Sequence, residues 1–509
     1  MRKVAILSIT LTALGINTAA GAVSSNVPIM EYKREYDILE RAKEIGLVKN
    51  VDLSFKPLTR EDFARGIIEI YNNRKKNPQL AKKFFNELYP YFKDAVNDLI
   101  KSHNINYIKP IVNAFEELSY SNVSKYKFPY EEGFKADQKL NYRLRISSEL
   151  KYENFLAYIE PEIINQNTKL NRWYLTSNFK GWNLEIGRDT VWYGNSNFGD
   201  LLVTNNISPW LMLKIEEEKY QSFPGIFKKL GEFRFSTFLS RLEKDRVRSY
   251  AKVWGMRFSW RPLENLEIAG TRAIQFGGAG RPDYNSLKDI WHLFKADEEN
   301  VRSSSSDAHY YDNNQLASID ITWYLDFLDN WKFQPFKGGK LYFVYAGDDA
   351  VKPTGPLNLP LPTAAAHIFE LDLTTGWETL KFNYTETIDD EAIWYTHHMY
   401  PNGYTYKGFI VGNALGGDSK SYTVSFSKDF TSDLSGNISF SYEKHGVKAH
   451  PFDEKIKKFS IGAIKQLTYK KTNIRVYSTL EYDNANNFNC INGLDKDIYL
   501  FSLKINLNF

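Results

Sequence analysis

Apolar positions recur at helical spacing from Glu31 to Ser102. Tyr36, Leu39, Ala42 and Leu47 form one stripe, which ends near Gly46. Thr59 is placed as an N-cap, with Asp62 three positions on, and opens a helix over Arg60–Tyr71. Asn77-Pro78 starts a third helix, with proline at the first helical position. Its apolar residues Leu80, Phe84, Leu88, Phe92, Val96 and Leu99 share one face that needs a partner. The pattern predicts a small α-helical domain over 23–110, a linker over 111–137 and a different architecture from 138 to 509.

Beyond Asp137 the period is two. In Lys139–Tyr152 one face carries Lys139, Asn141, Arg143, Arg145, Ser147, Glu149 and Lys151. The other carries Leu140, Tyr142, Leu144, Ile146, Ser148, Leu150 and Tyr152. A lysine or arginine facing lipid at mid-bilayer costs about 2–4 kcal/mol, so strict sorting is what a membrane strand requires. Similar runs occupy Arg172–Lys180, Glu232–Glu243, Tyr250–Trp260, Asn265–Phe276, Ala317–Leu328 and Thr379–Thr387. They continue through Tyr422–Phe430, Asn437–Glu443, Lys458–Leu467 and Asn473–Asp483, with turn-like clusters between many of them. The final run, Asp497–Phe509, places Tyr499, Phe501, Leu503, Ile505, Leu507 and Phe509 on one face.

An open sheet edge is not tolerated in lipid, so these strands must close on themselves. At roughly 20 residues per strand and turn, the chain from Lys139 makes about 16–18 strands, even numbers being usual. The fold expected is mainly β: a transmembrane antiparallel β-barrel with a small N-terminal α-helical domain. The terminal aromatic strand ending in Phe509 is of the kind read by barrel-insertion machinery, which makes that machinery and outer-membrane lipid expected partners.

Composition narrows the setting. Arg2 and Lys3, the apolar run Val4–Leu14 and Ala20-Gly21-Ala22 have the form of a signal peptide over 1–22. Its removal takes away two cations and no acids, leaving 63 Lys+Arg against 61 Asp+Glu. So small a surplus argues against a nucleic-acid partner. Cys490 is the only cysteine, which excludes an intramolecular disulfide and a cysteine metal cluster. The 33 Tyr, 34 Phe and 11 Trp suit strands whose faces meet different solvents. A cell outer membrane is the expected location.

The candidate chemistry centres on "GRDTVWYGNSNFGDLLVTN", Gly187–Asn205, which continues an alternating run from Trp182. Gly194-x-x-x-x-Gly199 is followed by Asp200 rather than Gly-Lys-Ser/Thr, so it is not a phosphate loop. Gly199-Asp200-Leu201 offers no nucleophile and excludes a hydrolase elbow. Two readings remain: an interfacial aromatic girdle with a loop, or a segment in the barrel mouth offering aromatic faces and charged groups to a sugar chain. Under the second reading the polysaccharide-binding residues are Arg188, Asp189, Trp192 and Tyr193, joined by Tyr404 and Tyr406 of Gly403-Tyr404-x-Tyr406-x-Gly408. A bulge or kink in the wall is the simpler account of that last motif. His397-His398, with Asp389-Asp390-Glu391 nearby, is not read as a metal site, because neighbours on an extended strand point to opposite faces. No pair of acids stands out for catalysis, and no cofactor, metal or catalytic residue is expected.

Four segments, in order, resemble the capsule assembly protein Wzi family. "GRDTVWYGNSNFGDLLVTNNISPW" (Gly187–Trp210) is similar to the family's GRxxxxWGxGxxGxLLLSxNxPPF segment. "TRAIQFGGAGRPD" (Thr271–Asp283) resembles its GGxGRP stretch, and "YFVYAGDDAVKPTGP" (Tyr342–Pro356) its Tyr-Ala-Gly-acid-acid segment. "YTHHMYPNGYTYKGFIVGNALGGDSKSYTVSF" (Tyr395–Phe426) resembles its YxHxxYxxGYxYxGxxxGxxxGxD signature. Tyr193 stands where tryptophan is common, Asn195 where proline or glycine often falls, and Ser208-Pro209-Trp210 replaces Pro-Pro-Phe. The resemblance implies a non-enzymatic, lectin-like outer-membrane barrel, its N-terminal helical part on the periplasmic side, that retains capsular or extracellular polysaccharide at the cell surface. A porin-like barrel passing solutes or oligosaccharides is the alternative, and a periplasmic β-rich carbohydrate enzyme a third. Pro57–Ala64 is also weakly similar to the start of S-layer-homology modules, although a helical cap on the barrel is the favoured reading.

Overall fold

The computed structural model describes residues 23–101, 105–282, 284, 286–295, 313–330, 335–350, 362–390, 393–470 and 472–509. The stretch 1–22 expected to be a signal peptide, Asp283, Val351–Pro356 and Glu391 therefore lie outside the described residues. From Tyr107 onward, 18 long antiparallel strands form a closed barrel. Closure is made between the first strand, Tyr107–Ser121, and the last, Lys496–Asn508, in a register that runs from Asn113↔Asn508 to Ser121↔Leu500.

The barrel thus begins about 30 residues earlier than the two-residue period suggested. The segment expected as a linker over 111–137 is the closing strand followed by a loop that folds inward. Lys109-Pro110 interrupts the alternation, and pairing with Leu140–Tyr152 shifts register between Lys109 and Asn113. A proline in a strand demotes it on sequence grounds because it cannot donate to the ladder.

In Leu140–Tyr152 the charged side, Arg143, Arg145, Glu149 and Lys151, faces the lumen and is buried. Leu140, Tyr142, Ile146, Leu150 and Tyr152 face outward and are exposed. The same division holds for Trp182–Asp189, where Trp182, Leu184 and Ile186 are outside while Glu185 and Asp189 are inside. Buried guanidiniums are tolerated only with partners. Arg257 meets Asp320 through two bonds of 2.7 and 2.9 Å, and Arg145 meets Glu162, Glu31 and Glu132, each at 2.7 Å.

Connections at one end are mostly short, as at 180–181, 264–265 and 375–377. At the other end lie the long connections 122–139, 190–209, 277–313 and 387–418. Outer-membrane barrels keep short turns on the periplasmic side, which orients the molecule.

Three helices, α1 (Lys33–Glu44), α2 (Arg60–Asn72) and α3 (Pro78–Lys101), occupy the periplasmic end. The expected cap is present: Thr59 Oγ1 accepts from Asp62 N at 3.1 Å while Asp62 Oδ2 accepts from Thr59 N at 2.9 Å. Phe63 of α2 stacks on Phe92 of α3 at 4.4 Å between centroids. The helices are not a separate body. Asp429, at the end of the wall strand Ser419–Asp429, receives Arg34 at 3.0 Å, Arg41 at 2.8 Å and Lys83 at 2.5 Å. Lys340 on the wall reaches Glu40 of α1 at 2.6 Å. Between α1 and α2 the chain runs up into the lumen, where Phe55–Lys56 pairs with Trp192–Tyr193.

Candidate functional site

The stretch that follows the wall strand Trp182–Asp189 leaves the barrel wall and descends into the lumen. Over residues 195–200 its wall partners lie on three adjacent strands, Asn314–Tyr324, Gly338–Ala350 and Pro362–Thr374. Lys340 Nζ donates to Asn195 O at 2.7 Å, Asn195 Nδ2 to Thr322 Oγ1 at 2.9 Å, and Ser196 Oγ to Glu370 at 2.9 Å. Asp200 accepts from Trp192 Nε1 at 2.7 Å and from Tyr342 hydroxyl at 2.5 Å. Burial raises the Asp200 carboxyl above the usual carboxylate range, and these two hydrogen bonds work against that rise. Gly199 has φ near +95°, and a Cβ there would sit 1.8 Å from the Tyr130 hydroxyl, so only glycine fits.

Two further loops lock onto this one. Glu132 N and Gly133 N, in 122–139, donate to Asn205 O at 3.0 Å and Asn206 O at 3.1 Å. Asn413, in 387–418, donates to Gly199 O at 2.8 Å and accepts from Tyr130 hydroxyl at 3.0 Å. At Gly412 the chains touch so closely that a Cβ would meet Leu201 O at 1.9 Å. One continuous apolar core results inside the barrel, including Phe55, Tyr193, Leu201, Trp210, Tyr342 and Tyr404. Among the described residues this core lines the wall from Trp210 to Ile368, while the inward Ser439, Ser441, Ser460, Thr479 and Ser502 on the remaining wall stay half-buried.

The sequence-derived residues separate accordingly. Arg188 lies on the outward face of its strand with Ile186, whereas Asp189 faces inward, so the pair does not form one charged site. Asp189 accepts from Asn26 Nδ2 at 2.8 Å and contacts Arg172 Nε at 3.2 Å, tying the N-terminal segment to the wall. Trp192 is buried, with Lys56 Nζ 4.7 Å from its ring centre and Tyr130 stacked at 5.8 Å. Tyr193 is buried and hydrogen-bonds Ser236 at 2.8 Å. Tyr404 and Tyr406 are also buried, stacked on Tyr395 at 6.2 Å and tilted against Trp210 at 6.1 Å. These aromatics are the packing of the plug rather than an open stacking platform. The alternating run from Trp182 accordingly stops in the wall at Asp189, and Trp192–Tyr193 pairs with the N-terminal segment instead.

An open site lies just above them. A cleft of about 570 Å³ at the extracellular end is lined by Ile393, Trp394, His397, His398, Asn402 and Ile410, among others. That volume falls in the range of about 300–1,000 Å³ common for small-molecule sites. Its floor is held from below: Trp394 Nε1 donates to Ala364 O at 2.6 Å, and Tyr395 N to Asp348 at 2.9 Å. Its rim is held from the side by Arg246, which donates to Thr405 O at 2.9 Å and Gly403 O at 3.1 Å, and by Arg248, which donates to Met399 O at 3.1 Å.

His397 and His398 correct an expectation. They sit in a turn rather than an extended strand, and their rings stack at 4.6 Å instead of facing apart. His397 Nδ1 accepts from Met399 N at 3.2 Å, which fixes a neutral ring with its proton on Nε2. Burial, then His398 and Arg281, lowers its pKa to about 4. A different group, Glu40, Glu44 and Asp372, brings carboxylate oxygens within 4.8 Å of one another. Lys340 and Lys381 supply its countercharge, at 2.6 and 3.2 Å from Glu40. The sequence flagged His397 and His398 but not Ile393, Trp394 or Asn402. Those three carry no spacing signal and meet only through the folded loop.

Outward apolar strands, an inward charged face and a lumen entered by loops above helices define an outer-membrane β-barrel with an internal core. The chain belongs to the capsule assembly protein Wzi family, which it matches over residues 123–499. It superposes on the Escherichia coli outer-membrane protein Wzi, described as involved in group 1 capsule assembly and as a carbohydrate-binding β-barrel. That match has a TM-score of 0.66 and 18% identity, and covers 96% of this chain and 100% of that one. It is also 26% identical over 157 residues to an uncharacterised 55.8 kDa protein from the cps region of Klebsiella pneumoniae, a match spanning 30% of this chain and 29% of that protein.

Proposed function

We propose that this barrel binds capsular or extracellular polysaccharide at the cell surface and helps attach the capsule there, without catalysing a reaction. The observation that carries this reading is an outward-opening cleft at Ile393–Ile410, seated on loops that fold into the lumen and pack there as a core. Loops packed across the lumen suit holding better than passage. The cleft offers an apolar wall, two imidazoles, an amide and backbone carbonyls, a set that meets both the C–H faces and the hydroxyls of a sugar. The exposed C-terminal Phe509 fits recognition by insertion machinery.

The reading is tested by deleting the gene and measuring cell-bound against shed polysaccharide, beside planar-bilayer recordings of the purified barrel. Loss of cell-bound polysaccharide with no steady large conductance is expected. Unchanged retention together with stable open channels would overturn the proposal in favour of transport.

A further inference from the structure

The long extracellular connection 277–313 contains a nine-residue helix, Leu287–Lys295. A capping box opens it: Ser286 Oγ accepts from Asp289 N at 3.1 Å, and Asp289 Oδ2 accepts from Ser286 N at 3.0 Å. One face is buried. Leu293, 2% exposed, packs with Met256, Ile274 and Phe276. Those three occupy positions on Lys252–Leu263 and Leu266–Phe276 that alternate with the inward-facing Arg257, Thr271 and Ala273. The helix therefore rests on the outside of the barrel, not over its mouth.

Arg272 supports this placement independently. It faces outward on the wall, where an uncovered guanidinium would meet lipid at considerable cost. It donates instead to Leu293 O at 3.2 Å and to Phe294 O, and also to Gln315, which is outward-facing and buried as well. Carbonyls of a helix's last turn suit a cation. The helix thus roofs a polar spot on an otherwise apolar wall.

The opposite face holds Leu287, Ile290, Trp291 and Phe294, at offsets that align them along one side. Leu287 is 86% exposed and Trp291 56%. Phe294 lies 6.2 Å from the outward ring of Trp254, so this face runs on into the exposed band of the wall. From Phe276 to Arg272 the covered patch extends about 14 Å along the strand at about 3.4 Å per residue. With a strand tilt of about 45°, that is roughly 10 Å of depth below the rim.

We propose that Leu287–Lys295 is an in-plane helix of the outer leaflet, seating Leu287, Ile290, Trp291 and Phe294 among lipid acyl chains. Its occupant is the lipid surface because its exposed face continues the lipid-facing wall. An amphipathic segment so placed buries its apolar side at the boundary of headgroup and acyl chain. It holds the barrel at a fixed depth and rotation, and it does so independently of any polysaccharide bound above.

The test uses the full chain carrying Cys490→Ser, with a nitroxide placed in turn at Leu287→Cys, Trp291→Cys and, as an aqueous reference, Lys407→Cys. Each variant is reconstituted in phosphatidylethanolamine–phosphatidylglycerol vesicles, and heat-modifiable gel migration verifies folding. Collision with oxygen should exceed collision with a water-soluble nickel chelate at 287 and 291, with the reverse at 407. Equal nickel access at all three sites would overturn the proposal. So would dipolar broadening at 287, which would assign the face to a second copy of the chain.

Discussion

The indole Nε1 of Trp192 donates to Asp200 Oδ2 at 2.7 Å, and the same carboxylate receives the Tyr342 hydroxyl at 2.5 Å. One acid thus closes the inserted loop on itself and ties it to the wall strand Gly338–Ala350. Asp200→Ala strands two buried donors, each worth about 1–3 kcal/mol when left unpaired. The temperature at which the folded gel band converts to the unfolded one should fall markedly. An unshifted conversion would show that the loop holds without this residue.

Asp429 does comparable work at the periplasmic end, where it meets three cations of α1 and α3. Breaking a buried ion pair from one side costs about 3–5 kcal/mol, because the charges left behind have no partner. Asp429→Ala should loosen the helices, expose the N-terminal region to protease and introduce channel events in bilayers where the parent barrel is quiet. Identical protease patterns in parent and variant would place the anchorage elsewhere.

The cleft should respond to acid through His397. Its pKa of about 4 in the folded loop is below the ordinary 6.5, so folding favours the neutral ring. The stabilisation is complete above about pH 6.5 and is lost as pH falls through about 4. Amide protection in Ile393–Gly403, taken relative to the intrinsic exchange rate at each pH, should therefore fall between pH 7 and pH 4.5, and His397→Gln should flatten that dependence. Equal protection at both pH values would remove His397 from the account.

Cleft residues and plug residues should also differ in kind. His398→Ala with Asn402→Ala should weaken binding of purified polysaccharide about tenfold, or about 1.4 kcal/mol, with unchanged heat-modifiable migration. Trp192→Ala and Tyr404→Ala should weaken binding only alongside a lower unfolding temperature, since both side chains are buried in the plug. Loss of binding in Trp192→Ala with undiminished stability would return the sugar to the inserted loop.

The wall was legible wherever water filled one side of the pattern's logic and lipid the other. Arg143 and Arg145 alternate with Leu144 and Ile146, and that contrast alone places the strand. It fails in two ways. In Tyr107–Ser121 and Phe155–Ile164 prolines break the pattern, and Pro161 coincides with a register shift. In Gly338–Ala350 and Pro362–Thr374 the inward residues Val344, Ala346, Ala366 and Ile368 are themselves apolar, because they face the plug's core rather than water. Without a polar face there is no alternation to read.

The site was harder for a related reason. An aromatic loop such as Trp192–Phe198 reads the same whether it opens to solvent or turns into a lumen. Only the positions of Phe55, Tyr342 and Asn413 decide between the two. The glycines carried more information than the aromatics: Gly199 and Gly412 mark where backbones from distant loops cross.

The strand pair that closes the barrel is also where the N-terminal segment docks. Asn506 Nδ2 donates to Glu31 O at 2.8 Å, and Tyr32 hydrogen-bonds Asn508. The final strand therefore completes two joints at once, its zip to Tyr107–Ser121 and its latch onto the segment inside. The helices meet the barrel from the periplasmic side, through Asp429 and Lys340 as well as through this seam. The seam is thereby keyed as well as stitched: the last strand slips along its neighbour only if the segment inside lets go.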